Sequence, residues 1–183
     1  MAPPKVLVVD DDRELADLYT AWLAERYDVH TAYGGHEALE LVEEMDGEFD
    51  AILLDRRMPD LTGDLTLVIL RDRGYDCPVA MVTAVEPDVD VLDLGFDDYL
   101  VKPASQDDLF ELVERLHELE SLDSVARELS MLRVKLHVLA VEYSTATLEE
   151  HPQFAELAAR IETLQARLRG DVPPARAGQV ADD

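Results

Sequence analysis

The sequence predicts an α/β fold, a doubly wound sheet of five parallel strands, followed by a C-terminal α-helical hairpin or coiled coil. Two observations support this prediction. In residues 1–120, short β-branched apolar runs alternate with amphipathic stretches, the pattern of strands joined by crossover helices. From residue 121 onward, the alternation is replaced by apolar residues at heptad spacing. With 183 residues, 48% of them hydrophobic, the chain can bury a core and carry a smaller appended region.

The apolar runs of the first region define five short strands. They are expected at 6–9, 29–31, 51–54, 79–82 and 99–101. Helices are expected over about 13–26, after Gly34–Gly35, up to Gly74, and near 89–94. Ser105 and Asp108 form a capping box, which predicts that the last helix of this region begins there.

The apolar residues of the second region form two heptad seams. The first seam comprises Leu122, Val125, Leu129, Leu132, Leu136, Leu139 and Tyr143. The second comprises Phe154, Leu157, Ile161, Leu164 and Leu168. At 1.5 Å per residue the seams would span about 33 Å and about 22 Å of helix, so the two helices can fold back as an antiparallel hairpin.

Three regions are therefore expected along the chain: 1–120, the helical region 121–170, and a tail over 171–183. The tail is rich in Pro, Ala, Gly and Asp and is expected to be disordered. No flexible linker separates Leu119 from Leu122, but the apolar spacing slips between them, which predicts a bend.

The charge of the chain is strongly negative and unevenly distributed. It has 41 Asp and Glu against 16 Lys and Arg, a net charge of −25, and residues 1–120 hold 31 of the acids but 9 of the bases. Such a surface repels phosphate backbones and anionic lipids, which disfavours nonspecific binding to nucleic acid or membranes. The 13 Arg and 3 Lys favour a cytoplasm rich in salt, where charges are screened. A single cysteine and the absence of a long apolar run favour a cytoplasmic location.

Polar residues follow four of the five predicted strands, at the edge where parallel α/β sheets bind ligands. They are Asp10, Asp11 and Asp12 after the first strand, Asp55 after the third, Thr83 after the fourth and Lys102 after the fifth. Clustered carboxylates repel one another unless a hard cation neutralises them, which predicts Mg²⁺. A lysine ammonium and a threonine hydroxyl at the same pocket would stabilise a further anion, such as a phosphoryl group on one carboxylate.

Each of these residues also has an ordinary structural interpretation. Asp12 suits a helix N-cap, Asp55 alone suits a turn, and Lys102–Pro103 alone suits the end of a strand. Their combination at the ends of four strands favours a functional pocket.

These motifs resemble the receiver domains of two-component response regulators, which have a flavodoxin-like fold. The resemblance covers about residues 4–120 and rests on Val8–Asp11, Asp55–Pro59 with Gly63, Met81–Ala84 and Gly95–Pro103. It implies that Asp55 accepts a phosphoryl group from a partner histidine kinase. The chain would then be a phosphoacceptor that promotes its own phosphorylation and dephosphorylation, not an enzyme acting on other substrates.

The resemblance also implies roles for the surrounding residues. Mg²⁺ would be held by Asp10, Asp11, Asp55 and the backbone carbonyl of Arg57. Thr83 and Lys102 would contact the phosphoryl oxygens, and Thr83 and Tyr99 would change position on phosphorylation. The Lys102–Pro103 bond would be cis.

Two features depart from the common receiver pattern. Lys102 follows Thr83 by 19 positions, a few fewer than is usual, so the helix between the last two strands is expected to be short. This bears on whether the usual signalling face is kept. Arg56 and Arg57 are unusually basic for positions after the acceptor; they either change the lifetime of the phosphoryl group or are surface arginines that balance local acids.

The order of a receiver followed by heptad helices resembles the haloarchaeal regulators with a HalX-type C-terminal domain. Three outputs are open for the 121–170 region. The favoured one is protein–protein interaction, with a partner protein or a second copy of the chain. DNA-binding transcriptional control is weakened by the absence of a helix-turn-helix signal and by few basic residues. The third is a phosphorelay dimer without a separate output. Phosphorylation at Asp55 is expected to shift a two-state equilibrium in the receiver, and the helix that begins at Ser105 is expected to pass the change into the heptad region.

Overall fold

The computed structural model describes residues 2–144, 148 and 151–170. Its centre is a sheet of five parallel strands in the order β2-β1-β3-β4-β5. The strands are β1 Lys5–Val9, β2 Asp28–Ala32, β3 Ala51–Leu54, β4 Val79–Thr83 and β5 Asp98–Val101. Each observed strand lies within one residue of its predicted bounds. The predicted α/β fold with a doubly wound parallel sheet is confirmed.

Helices lie on both faces of this sheet. They are α1 Arg13–Leu23, α2 Gly35–Glu44, α3 Gly63–Asp72 and α4 Gln106–Glu120, with a 3-10 helix at Val89–Asp93 between β4 and β5. Asp12 caps α1 by accepting hydrogen bonds from the amides of Glu14 and Leu15. The predicted capping box at Ser105 is present at the start of α4. The first helix ends at Leu23, three residues before the predicted end, because residues 24–26 form a turn into β2.

The two faces of the sheet carry separate hydrophobic cores, since side chains alternate along each strand. On β1, Val6 and Val8 face α1 and α4, where they pack with residues such as Leu23 and Leu112. On the opposite face, Leu7 and Val9 pack in the core that includes α2 and α3. Parallel strands buried on both sides read as continuous apolar runs, which is why the sequence predicted them closely.

The connection between β4 and β5 is short, as the spacing of Thr83 and Lys102 predicts. Its 3-10 helix has five residues, a length of about 10 Å, and covers little of the sheet. Helix α5, Ser124–Glu142, packs on β5 beside it. Leu139 of α5 is 0% exposed and belongs to the same core as Phe96 and Tyr99. The first C-terminal helix therefore completes the core of the sheet on this face.

The C-terminal helices form a hairpin of α5 and α6, the latter spanning Pro152–Arg169. Leu129 of α5 is buried against Leu157, Ile161 and Leu164 of α6. The first heptad seam is thus divided: its first half faces α6, whereas Leu139 faces the sheet. Asp123 caps α5 three residues after α4 ends, so the predicted bend lies between these helices.

The predicted tail, 171–183, lies outside the described residues. Within the part that is described, no helix combines the length and the apolar character needed to cross a membrane.

Candidate functional site

The predicted polar residues meet at the carboxyl edge of the sheet. Asp10 directly follows β1, Asp55 follows β3, Thr83 ends β4 and Lys102 follows β5. Because Val9 pairs with Leu54, the two aspartates emerge from neighbouring strands at the same level. The order of the strands reverses at β1, which is where open α/β sheets form a ligand crevice.

One lysine joins the two buried carboxylates. Lys102 Nζ lies 2.5 Å from Asp10 Oδ2 and 2.7 Å from Asp55 Oδ1. Both aspartates are buried, and Lys102 is nearly so. Asp11, the next residue after Asp10, is exposed at the rim of the same cleft. The site thus holds two buried carboxylates and one ammonium, with a third carboxylate at its edge.

Burial and ion pairing act on these groups in opposite directions. Burial raises the pKa of Asp10 above its ordinary value, and the hydrogen bond from Lys102 offsets only part of this increase. Burial alone would lower the pKa of Lys102, but the hydrogen bonds to Asp10 and Asp55 outweigh it, so the pKa is raised. The lysine therefore keeps its positive charge at the centre of the site.

Backbone amides hold the two carboxylates in place. The Arg57 amide donates to Asp55 Oδ2 at 2.8 Å, and the Asp12 amide donates to Asp10 Oδ1 at 3.0 Å. The loop after Asp55 also requires glycine at position 63, because a Cβ atom there would lie 2.0 Å from the Asp55 carbonyl oxygen. The close approach of α3 to this strand end fixes the loop that follows Asp55.

Thr83 and Tyr99 meet at the loop after β4. Thr83 is buried, and its Oγ1 accepts a hydrogen bond from the Val85 amide at 3.2 Å. The ring of Tyr99 is also buried, and its hydroxyl donates to the Val85 carbonyl at 2.7 Å. Thr83 and Tyr99 are therefore linked through the backbone of a single residue. The Lys102–Pro103 bond that follows β5 is cis, as the resemblance implies.

The residues that line this cleft include Asp10, Asp11 and Asp55, and carboxylate oxygens are the ligands that a hard cation prefers. Among the residues that the structure describes, no three His, Cys, Asp or Glu side chains are grouped as a metal site. Lys102 bonds both buried carboxylates, and Asp11 lies apart from them at the rim.

The burial of Arg56, next to the site, was not predicted from the sequence. Of the two arginines after Asp55, Arg57 is exposed, in accord with a surface arginine, but Arg56 is buried. The guanidinium of Arg56 binds Asp64 on α3 and Asp90 on the 3-10 helix. Asp90 lies 34 positions further along the chain, and no motif or spacing connects it to Arg56.

Two protein families match the chain. Residues 6–114 match the response regulator receiver domain, and residues 118–173 match the HalX domain. A candidate transcriptional regulator of Haloferax volcanii is 46% identical over 162 residues, which is 88% of this chain and 27% of that protein. The chain spans between 27% and 60% of the length of this and two other curated relatives.

Solved receiver structures are similar to the first region of the chain. The receiver domain of the Francisella response regulator 1452 is 37% identical with a TM-score of 0.58, covering 63% of this chain and 97% of that one. The CheX-CheY-BeF3-Mg complex of Borrelia burgdorferi contains a chain that is 25% identical with a TM-score of 0.59, covering 63% of this chain and 90% of that one.

Proposed function

The chain belongs to the response regulator receiver family and carries a HalX domain after the receiver, and from this premise we propose that Asp55 is its phosphoacceptor. One observation carries the proposal. Asp55 is buried at the carboxyl edge of the sheet, with Lys102 Nζ on one carboxylate oxygen at 2.7 Å and the Arg57 amide on the other at 2.8 Å. An anion formed on this carboxylate would therefore meet a fixed ammonium and a fixed amide.

The chemistry is transfer of a phosphoryl group from a phosphohistidine of a histidine kinase. A carboxylate oxygen of Asp55 attacks phosphorus, the P–N bond to the imidazole breaks, and the freed imidazole nitrogen takes up a proton. Lys102 and the Thr83 hydroxyl then stabilise the phosphoryl oxygens. Dephosphorylation is a separate step in which water attacks phosphorus, the bond between phosphorus and the Asp55 oxygen breaks, and inorganic phosphate leaves as the Asp55 carboxylate is regenerated. The chain acts on its own side chain, so we assign it as a phosphoacceptor and not as an enzyme with a separate substrate.

We propose that Mg²⁺ binds to the carboxylates of Asp10, Asp11 and Asp55 and to the backbone carbonyl of Arg57. The ion would supply positive charge that neutralises the phosphoryl oxygens. The oxygen donors of the cleft support this assignment. The solved complex of Borrelia burgdorferi that contains a similar chain includes BeF3 and Mg²⁺.

The acceptor assignment is tested by labelling with acetyl phosphate and Mg²⁺, followed by intact mass spectrometry. The wild-type chain should gain one phosphoryl group, and Asp55→Asn should gain none. Asp60→Asn is a matched control, because Asp60 is exposed in the same loop and its positive φ of 65° is one that Asn tolerates. Labelling that persists in Asp55→Asn refutes the assignment.

We propose that residues 1–120 receive the phosphoryl group and that the 121–170 region delivers the output by binding a partner protein or a second copy of the chain. The nearly neutral charge of the second region supports association with proteins, since 121–183 carries 10 acids and 7 bases. Arg160 is paired with Glu128 and so is not a free contact for phosphate.

The similarity to a Haloferax transcriptional regulator favours a second candidate, transcriptional control, for which we consider direct contact with DNA. Binding of the full chain to duplex DNA at a series of salt concentrations separates the two. Direct contact with several phosphates gives a steep fall of affinity with salt, by about 0.9 in log K per phosphate for each unit of log salt. We expect no such binding, and a steep slope would favour the DNA alternative.

A further inference from the structure

Arg56, the residue directly after the proposed acceptor, has a buried charge that neither phosphoryl transfer nor Mg²⁺ binding uses. Its side chain is 6% exposed. Nε lies 2.9 Å from Asp64 Oδ1 on α3, and Nη2 binds both Asp64 and Asp90. A buried charge is unfavourable unless it is paired and hydrogen-bonded, so the two carboxylates determine where this side chain lies.

The guanidinium remains charged in this position. Arginine does not lose its proton in proteins, and the carboxylates of Asp64 and Asp90 pair with its charge. The same charge acts on Tyr99: burial raises the pKa of the Tyr99 hydroxyl, and Arg56 offsets part of that increase. Arg56 therefore lies between the end of β3, helix α3, the 3-10 helix and Tyr99.

The 3-10 helix that Arg56 binds is also the place where the hairpin docks. Lys135 Nζ of α5 donates to the carbonyl of Leu92 at 2.8 Å. The Tyr143 hydroxyl, directly after α5, donates to Asp88 Oδ1 at 2.8 Å. The side chain of Leu92 packs against two hydrophobic cores. One lies on the face of the sheet that carries α2 and α3, and the other lies between α5 and α6. The position of this short helix therefore affects how the hairpin is held.

We propose that Arg56 is a positioning residue that couples the state of the Asp55 site to the docking of the α5–α6 hairpin, through Asp90 and the 3-10 helix. The inference rests on the proposed function, because it requires phosphorylation of Asp55. Arg56 lies between Asp55 and Arg57, whose amide binds the Asp55 carboxylate at 2.8 Å. A change in how that carboxylate is held therefore moves the backbone that carries Arg56. We expect modification of Asp55 to loosen the docked hairpin through this link.

The test is amide hydrogen exchange of the full chain with and without beryllofluoride and Mg²⁺. In the wild type we expect exchange at the α5 amides to rise at least about fivefold, the lower end of typical coupling between two sites. In Asp90→Asn, which removes the carboxylate but leaves a side chain that is already exposed, we expect a rise of less than about twofold. Asp72→Asn is the control: it makes the same change at an exposed residue at the end of α3 and should respond as the wild type.

Arg56→Met breaks the same link from the other side and should lose the response while acetyl phosphate still labels Asp55. A purely structural role of Arg56 would raise exchange equally in both conditions and leave the response intact, which would overturn the proposal. A wild-type chain that is labelled at Asp55 but shows no response in α5 would also overturn it, with the proposed function unaffected. A wild-type chain that acetyl phosphate does not label would refute the proposed function itself.

Discussion

The two faces of the sheet are covered in different ways. On one face, α1 and α4 pack on the strands beside them, and Leu23 and Leu112 are buried in a core made of residues 6–119. On the other face, the connection between β4 and β5 supplies one 3-10 helix, and Leu139 of α5 fills the adjoining core. The first face is built from the receiver alone, whereas the second needs the C-terminal region.

This difference shows that the place where the sequence pattern changes is not the place where the folded core ends. The alternation of strands and helices stops near residue 120, but the receiver core continues into α5. Because the hairpin covers the face that bears Tyr99 and the 3-10 helix, its position and the state of the receiver can influence each other. A hairpin joined only through a linker would not have this property.

The largest expected effect on stability is that of Asp97→Asn, because Asp97 pairs with one arginine in each region. Its carboxylate is 0% exposed and binds Arg71 of α3 and Arg127 of α5. Asp97→Asn removes the charge that pairs two arginines, and breaking a buried pair lowers the free energy of unfolding by about 3–5 kcal/mol. Urea denaturation measures this decrease in the free energy of unfolding.

The control for Asp97→Asn is Glu128→Gln, which breaks the pair with Arg160 inside the hairpin. Both partners of that pair are partly exposed, so the expected loss is about 0–1 kcal/mol. Equal losses in the two variants would show that Asp97 does not join the regions.

The second prediction concerns the core that α5 completes. Leu139→Ala removes a side chain that is 0% exposed, and truncation of a buried leucine costs about 2–5 kcal/mol. Val141→Ala, on the same helix but 70% exposed, should change stability by less than about 0.5 kcal/mol. Hydrogen exchange should show that Leu139→Ala loosens β5 more than α1. Loosening confined to α5 and α6 would mean that the second face does not need the hairpin.

The sequence predicted the strands and caps well because each has a local cause. Ala51–Leu54 is a fully apolar run, and the capping signals at Asp12 and Ser105 are read from neighbouring residues. The polar residues at the strand ends were found for a related reason, since parallel strands bring their carboxyl ends to one edge.

The long-range contacts of the second face could not be predicted in this way. Heptad spacing shows that Leu139 is on an apolar face of its helix, but it is equally compatible with packing on α6 or on the sheet. In the same way, the basic character of Arg56 is visible in the sequence, whereas its burial depends on Asp90 being brought near by the fold.

The third prediction uses the unequal charge of the two regions. Residues 1–120 have a net charge of −22, and 121–183 have −3, so salt should stabilise the first region more by screening its repulsion. The Tm should rise with KCl concentration, and each 1 kcal/mol of stabilisation corresponds to about 2–4 °C for a chain of this size. Amide protection should increase more in α1 and α2 than in α6. A Tm that does not rise with KCl would contradict the prediction.

The smallest expected effect is the pH dependence that Lys135 gives to the docked hairpin. Lys135 is 6% exposed, donates to the Leu92 carbonyl and lies 5.5 Å from the centre of the Phe96 ring. Burial lowers its pKa below the ordinary 10.5, and the negative charges of Asp93 and Asp97 offset only part of this decrease. The unfolded chain therefore binds more protons than the folded chain between the lowered pKa and 10.5.

In that range the stability that Lys135 contributes should rise with pH, by at most about 1.4 kcal/mol per pH unit. Below the lowered pKa, the cost of burying the charged amine is fully present. The pKa of Tyr143, raised by its hydrogen bond to Asp88, and that of Tyr99, raised by burial, add titrations of opposite sign at high pH. The measurement is therefore the difference in the free energy of unfolding between the wild type and Lys135→Met across pH 8–10.5. If this difference increases with pH in favour of the wild type, the result supports a buried amine that docks the hairpin. A difference that stays constant with pH would mean that Lys135 is solvated and that α5 is not held there.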